Sequence, residues 1–307
     1  IVRIQKSIEG RDYDHGFRVL RTYQVSGQNQ KEELIPTLKR ISGQGLIDYL
    51  VIIESDRGFI SKSLNRELID LMSSGLKVKT YSQLYEEIKE ALPIGFSEPG
   101  FYQVIPDARI SENHAYEFWH QSINVISSLF GIALFALISP LLLILNPIFN
   151  KGSLFYIQKR VGKNGREFNL VKFRSMVEDA EKNGARMSAK NDKRVTPLGK
   201  LLRRSRIDEL PQFWSVLKGE MNLIGPRPER RFFIDEWKDL LPQFESRHLI
   251  KPGITGWAQV KYPYGENVED SAKKLEYDLY YMKNRSILLD IRIIYKTVYT
   301  MIVSKGQ

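Results

Sequence analysis

The most conspicuous feature of the hydrophobic pattern is a stretch from Gln121 to Asn150 with no Asp, Glu, Lys or Arg. Its apolar centre, from Ile123 to Phe149, exceeds the roughly 20 residues a helix needs to cross a bilayer core. It follows more than a hundred residues that read as folded, so it is not a cleaved secretion signal. Pro140 lacks an amide hydrogen and clashes with the preceding turn, which predicts a kink or break at Ser139-Pro140. Two topologies follow. Either a kinked helix spans the bilayer, or the segment enters, bends at Ser139-Pro140 and returns, leaving both flanks on one face.

Before this run the pattern alternates between strand and helix. Phe17 to Val25 and the apolar Ile47 to Ile53 read as strands, and Ser61 to Ser74 has helical spacing stopped by Gly75. Lys77 to Thr80 reads as a further strand, and Ser82 to Ala91 as a helix opened by Ser82. This order predicts a small parallel α/β unit over residues 1–95, joined through residues 96–120 to the apolar helix at 121–150. A glycine-rich phosphate-binding turn is missing, because Gly43-Gln-Gly45 precedes a strand instead of following one. The unit therefore reads as structural or regulatory. The chain begins at Ile1, and the unit's first strand is expected upstream of it.

Charge separates the two flanks. Residues 1–120 hold 15 basic and 17 acidic side chains, whereas residues 151–307 hold 31 and 19, so the net charge of +10 resides beyond the apolar run. An anionic partner is implied for that part. Lys151, Lys159, Arg160, Lys163 and Arg166 crowd the helix's C-terminal flank, which places residues 151–307 in the cytoplasm. The chain has no cysteine, which excludes disulfides, thiolate metal sites and thiol nucleophiles.

Four rigid basic clusters follow. The turn Gly162-Lys-Asn-Gly165 leads into a strand at Phe168–Met176, where alternation puts Lys172 and Arg174 on one face. Arg203, Arg204 and Arg206 precede the adjacent carboxylates Asp208 and Glu209, with Pro211 suited to the first turn of a new helix. Acidic residues there are ordinary caps or dipole partners on one reading. On the other, one carboxylate attacks phosphorus and its neighbour holds a divalent cation among phosphate-neutralising arginines. Hard oxygen donors suit Mg²⁺. Arg227 is clamped between Pro226 and Pro228, and Arg247 and Lys251 open the loop Lys251-Pro-Gly-Ile-Thr-Gly-Trp257. His248 has no triad spacing and reads as structural. The last segment, Ser286 to Val303, suits either an interfacial amphipathic helix or core packing.

These clusters, following a Ser-Pro-broken apolar helix, resemble the bacterial polyprenyl-phosphate glycosyl-1-phosphate transferases. The matching runs are Gln158-Lys-Arg-Val-Gly-Lys-Asn-Gly165, Lys172-Phe-Arg-Ser-Met176, Asp208-Glu-Leu-Pro-Gln212, Leu217-Lys-Gly-Glu-Met221, Gly225-Pro-Arg-Pro228 and Lys251-Pro-Gly-Ile-Thr-Gly-Trp-Ala-Gln-Val260. The tail, Tyr262-Pro-Tyr-Gly265 with Leu275 to Asn284, is most similar to members tied to exopolysaccharide export. Residues 1–95 look like the Rossmann-like, CoA-binding-like unit of larger members, lacking its beginning.

The resemblance implies an α/β protein with a truncated Rossmann-like unit, a re-entrant helix broken at Ser139 and Pro140, and a predominantly helical α+β catalytic domain at residues 151–307. It implies transfer of a sugar 1-phosphate from a UDP-sugar to undecaprenyl phosphate with release of UMP, on the cytoplasmic face of the bacterial inner membrane. Asp208 matches the family nucleophile and Glu209 its neighbour, needed with Mg²⁺. Lys172, Arg174, Arg203 and Arg227 match basic positions of the active site. Ile207 departs from the usual Leu, and Lys261-Tyr262 replaces a common Asn-Gly-Arg, which bears on donor choice. A lipid-pyrophosphate hydrolase and a non-catalytic basic membrane scaffold are the alternatives. Membrane lipid is an expected partner, nucleic acid is not, and the α/β unit beside a membrane helix offers surface for a homo-oligomer.

Overall fold

The structure, a computed structural model, describes residues 36–40, 43, 49–52, 62–94, 113–182, 184, 187, 192–262, 265 and 267–303. The chain divides into two compact units, Ile1–Pro99 and Gly100–Gln307. In the first, β1 (Tyr49–Ile52) pairs in parallel with β2 (Lys77–Thr80), and between them runs α1 (Lys62–Ser73), followed after β2 by α2 (Tyr81–Lys89). The expected stop at Gly75 holds: its φ of +96° suits a residue without Cβ, and Leu76 N donates to Leu71 O at 3.1 Å. The helix expected to open at Ser82 is opened instead by Thr80. Its hydroxyl accepts from Gln83 N at 3.2 Å while the Gln83 side chain accepts from Thr80 N at 3.0 Å, which satisfies two otherwise unpaired amides. The strand expected at Phe17–Val25 lies outside the described residues.

The second unit is built on α3 (His114–Phe149), the one helix among the described residues long and apolar enough to cross a membrane. Helical turns continue through Pro140 and Pro147, so the break expected at Ser139-Pro140 does not divide α3 into two helices. Phe118, Ile126, Leu137 and Ile144 stay exposed, which gives α3 an apolar outer face. The hairpin of β3 (Phe155–Val161) and β4 (Glu167–Phe173) follows, closed by a turn in which Asn164 (φ 56°) and Gly165 (φ 74°) are left-handed. Next come α4 (Pro197–Arg204), a 3₁₀ turn at Ile207–Glu209 and α5 (Gln212–Leu217). The chain continues through β5 (Asn222–Ile224), α6 (Arg231–Trp237), a 3₁₀ helix at Pro242–Leu249 and β6 (Gly253–Thr255). Three helices finish it: α7 (Trp257–Lys261), α8 (Val268–Asn284) and α9 (Ile287–Ile302).

Packing against α3 organises the unit. At its N-terminal end, Asp290 of α9 accepts from Tyr281 of α8 at 3.0 Å and lies 3.0 Å from His120 Nδ1. One turn on, Asn124 accepts from Leu223 N at 2.7 Å and donates to Asn222 Oδ1 at 3.1 Å, so a polar side chain inside the apolar run supports β5. Gly131 lets Phe213 approach: a Cβ there would stand 2.2 Å from its ring. Phe135 stacks on Phe173, and Leu142 is buried with Phe173, Leu198 and Leu202, with Ile207 and Leu210 packed on the cluster. At the C-terminal end Asn146 donates to Gly152 O at 2.7 Å and Asn150 to Arg174 O at 2.9 Å. The last helix combines both readings of its sequence, since Leu289 and Ile293 are buried while Leu288, Tyr295 and Ile302 are exposed.

Candidate active site

The turn carrying the acidic pair is set by its neighbours. Arg206 adopts φ 57°, a left-handed conformation that costs a non-glycine residue about 1 kcal/mol and reverses the chain after α4. Ile207 and Leu210 anchor the turn in the Leu142 cluster, so Asp208 and Glu209 face inward, 6% and 7% exposed. Neither carboxylate caps α5, whose start at Pro211 has no side-chain cap. The bland reading of the pair as helix caps therefore does not apply.

The two carboxylates have different surroundings. Glu209 Oε1 receives Lys172 Nζ at 3.1 Å and lies 3.6 Å from Arg227 Nη2, while Oε2 lies 3.8 Å from Arg206 Nη1. Burial works against its charge, but Lys172, Arg227 and Arg206 together hold its pKa well below the usual carboxylate range. Asp208 Oδ1 is buried with no hydrogen-bond partner. Burial, and then the neighbouring charge of Glu209, push Asp208 up to about 6 against the pull of Lys172 and Arg203. Lys172 is itself lowered by burial, an effect that Glu209 opposes.

Both residues line a cavity of about 420 Å³, the size of a small-molecule site, together with Lys172, Arg174, Arg203, Arg206, Arg227 and Arg247. Lys251 is not among its lining residues and lies beside Gly219. Lys172 reaches Glu209, whereas Arg174, one residue past the end of β4, donates to Asn150 O at 3.2 Å and is 5% exposed. Arg247 is equally buried; it donates to Arg227 O at 2.9 Å and pairs with Asp278 at 2.8 Å. It braces the loop that presents Arg227. Burial, Arg247 and Arg231 hold His248 down to about 3, so its imidazole is neutral.

The Pro226-Arg227-Pro228 loop is fixed from two further sides. Arg160 donates to Pro228 O at 3.1 Å, and β5 pairs in parallel with β6. Gly225 N donates to Thr255 O and Gly253 N to Pro226 O, both at 2.9 Å. A Cβ on Gly225 would stand 2.5 Å from Lys251 O, and one on Gly253 2.1 Å from Gly225 N. The two glycine-containing motifs are thus one structure, strapped together at backbone contact. Asp278 and Glu229 were not evident from sequence, because each looks like a polar surface position and its partner is distant along the chain.

Hard oxygen donors are present for a divalent cation. No group of three or more His, Cys, Asp or Glu side chains with that capacity occurs among the described residues. The unpartnered oxygen of Asp208 beside Glu209 does suit Mg²⁺, which is commonly held by one or two carboxylates with substrate phosphates and water completing its shell.

Comparison with known proteins identifies the family. A family model described as bacterial sugar transferase matches residues 115–304. The UDP-N-acetylgalactosamine-undecaprenyl-phosphate N-acetylgalactosaminephosphotransferase of Aeromonas hydrophila is 43% identical over 194 residues, 62% of this chain and 45% of that protein. The UDP-glucose:undecaprenyl-phosphate glucose-1-phosphate transferase of Klebsiella pneumoniae is 40% identical over 187 residues, 59% of this chain and 39% of that protein. The exopolysaccharide production protein PSS of Rhizobium leguminosarum bv. phaseoli is 37% identical over 179 residues, 56% of this chain and 88% of that protein. The chain spans less than half the length of the first two.

Proposed function

The chain belongs to the bacterial sugar transferase family, and on that premise we propose that it moves a sugar 1-phosphate from a UDP-sugar to undecaprenyl phosphate, releasing UMP and initiating a surface polysaccharide. The division of labour within the acidic pair carries this reading. Both oxygens of Glu209 are engaged by cations, whereas Asp208 keeps a buried, unpartnered oxygen. Asp208 is the nucleophile. Its carboxylate oxygen attacks the phosphorus bearing the sugar, and the bond from that phosphorus to the UMP oxygen breaks. An oxygen of undecaprenyl phosphate then attacks the same phosphorus, the bond to Asp208 breaks, and the carboxylate is regenerated. The covalent step divides an encounter of two anions into two separate displacements.

Arg203, Arg206 and Arg227 face this centre and neutralise phosphate charge, and Lys172 fixes Glu209 in its ionised form. Asp208 and Glu209 would hold Mg²⁺, Asp208 through its unpartnered side and Glu209 in exchange for one of its present cation contacts, and the ion when bound would neutralise charge developing on the transferring phosphoryl group. Arg174 and Arg247 act through position, the first on the end of α3 and the second on Arg227.

The helix α3 is re-entrant in this reading, with both ends on the cytoplasmic face of the inner membrane. Its 36 residues follow a helical path of about 54 Å, and the reading requires that path to bend at Ser139-Pro140, where Pro140 leaves a carbonyl of the preceding turn without an amide donor. Contacts with the rest of the unit recur at His120, Asn124, Gly131, Phe135, Leu142 and Asn146. A helix crossing the bilayer from a domain on one side would leave about 20 consecutive residues to lipid alone. Here no such interval exists. The parallel β1–β2 pair with its helices agrees with a Rossmann-like N-terminal unit.

The test is UMP release by nanodisc-embedded protein with Mg²⁺, undecaprenyl phosphate and a panel of UDP-sugars, beside an Asp208→Asn control. UMP released over many turnovers in dependence on both the lipid acceptor and Asp208 supports the reading, with no more than about one equivalent per enzyme when lipid is left out, the yield of the first displacement alone. Many turnovers of UMP without lipid indicate a hydrolase, and none with any donor removes the transferase.

A further inference from the structure

The cavity has a second wall that the phosphate chemistry does not use. Alternate residues of β3, Tyr156, Gln158 and Arg160, face it from one side of the hairpin. They form a hydrogen-bonded row: Gln158 Nε2 donates to Tyr156 Oη at 2.7 Å, and Arg160 Nη2 donates to Gln158 Oε1 at 2.6 Å. Arg160 also pairs with Glu229 at 3.3 Å, and Arg230 with Glu181 at 2.7 Å. Burial, and after it the charge of Glu181, raise the pKa of Tyr156, so its phenol stays protonated.

This wall differs in kind from the acidic-pair end. There Lys172, Arg203, Arg206 and Arg227 outnumber two carboxylates, which suits phosphates. Along β3 each cation has a carboxylate, so the row is charge-balanced. It still has hydrogen-bonding capacity: the phenol oxygen retains a lone pair, and the amide one N–H and one lone pair. Adjacent donors and acceptors without net charge match hydroxyl groups, which both donate and accept.

Register sets where the row begins. Tyr156 pairs directly with Lys172 across the hairpin, and Lys172 contacts Glu209. In a nucleotide sugar the sugar is bonded to the phosphate under attack, whereas the base lies beyond a second phosphate and a ribose. The group closest to this wall during reaction is therefore the sugar. Resting on the function proposed above, we infer that Tyr156, its hydroxyl oriented by Gln158 and Arg160, contacts the neutral sugar ring of the donor and sets which sugar is accepted.

The experiment compares the wild-type chain with Tyr156→Phe and Gln158→Glu in nanodiscs. Values of kcat/KM are measured for UDP-glucose, UDP-galactose, UDP-N-acetylglucosamine and UDP-N-acetylgalactosamine, and the inhibition constant of UDP is measured alongside. UDP carries no sugar, so it reports the nucleotide and phosphate contacts and shows that a variant is folded. The expected result is a change of about 10-fold or more in the ratio between at least two sugars, with UDP inhibition unchanged within about twofold. Unchanged ratios in both variants overturn the assignment. So does a parallel loss for all four donors with weakened UDP inhibition, which would make the wall a nucleoside site. A wild-type chain inactive with every donor would instead remove the transferase reading on which the subsite rests.

Discussion

Lys172 Nζ stands 3.1 Å from Glu209 Oε1, joining the second strand of the hairpin to the turn that carries the acidic pair. Both side chains are largely buried, at 18% and 10% exposed. Breaking a buried pair from one side leaves an uncompensated charge, at a cost of about 3–5 kcal/mol. Glu209→Gln is therefore expected to lower the thermal unfolding midpoint markedly as well as turnover, whereas the double variant Glu209→Gln with Lys172→Met recovers stability without activity. Unfolding of the three proteins in the same nanodiscs checks this.

The raised pKa of Asp208 has opposite consequences for activity and stability. An unfolded Asp titrates near 3.8 and the folded one near about 6. Between these values the unfolded chain is ionised and the folded one still protonated, so stability contributed by this group falls as pH rises from about 4 to 6. On the proposed mechanism Asp208 gains its nucleophilic, ionised form over the upper part of that window. Turnover is expected to rise through about pH 6, and Asp208→Asn, at pH 7, to unfold at a higher temperature than the parent while losing about 10³-fold or more in turnover. A pH–rate profile and parallel unfolding curves measure both. An Asn variant no more stable than the parent at pH 7 would contradict the burial argument.

Arg247 binds Arg227 O and Asp278 at once. Removing Asp278 leaves a buried guanidinium unpaired and frees the loop that presents Arg227. Asp278→Ala is expected to destabilise the protein by about 3 kcal/mol or more. Asp278→Asn, which keeps an acceptor, should lose less stability but still lower kcat. A double-mutant cycle with Arg227→Lys tests the coupling: additive effects on kcat/KM would show that Arg247 only supports the fold.

Much of this site was legible from short motifs. The acidic pair, the Pro-Arg-Pro loop and the Gly-Ile-Thr-Gly loop declare themselves through prolines, glycines and clustered charge. The strap between the two loops did not, because backbone pairing of Asn222 with Gly253 crosses 31 positions and leaves no periodic trace. Strand β3 was missed for a local reason: three apolar residues, Phe155-Tyr-Ile157, are followed by three polar ones, Gln158-Lys-Arg160, so the sequence carries no period-two signal even though exposure alternates from Ile157 to Arg160. Arg174 lies past the strand and donates to Asn150 O while lining the cavity with Lys172, a double engagement that alternation does not reveal.

The absence of cysteine makes topology directly measurable. Single cysteines at Glu117 and Lys151, both exposed near the ends of α3, are expected to react with an impermeant maleimide only when the cytoplasmic face is accessible. Labelling of one from each side would establish a spanning helix instead.

Asn124, Asn146 and Asn150 direct their polar groups onto the unit that follows, while neighbouring side chains on α3 point outward. The helix is thus a rib of the enzyme as well as its mooring. Grafting a generic apolar anchor in its place would keep the protein at the membrane yet leave β5 without its Asn124 support and the start of the hairpin without its fastening, so chimeras and soluble truncations designed around residue 150 should be expected to lose the fold of the site they aim to isolate.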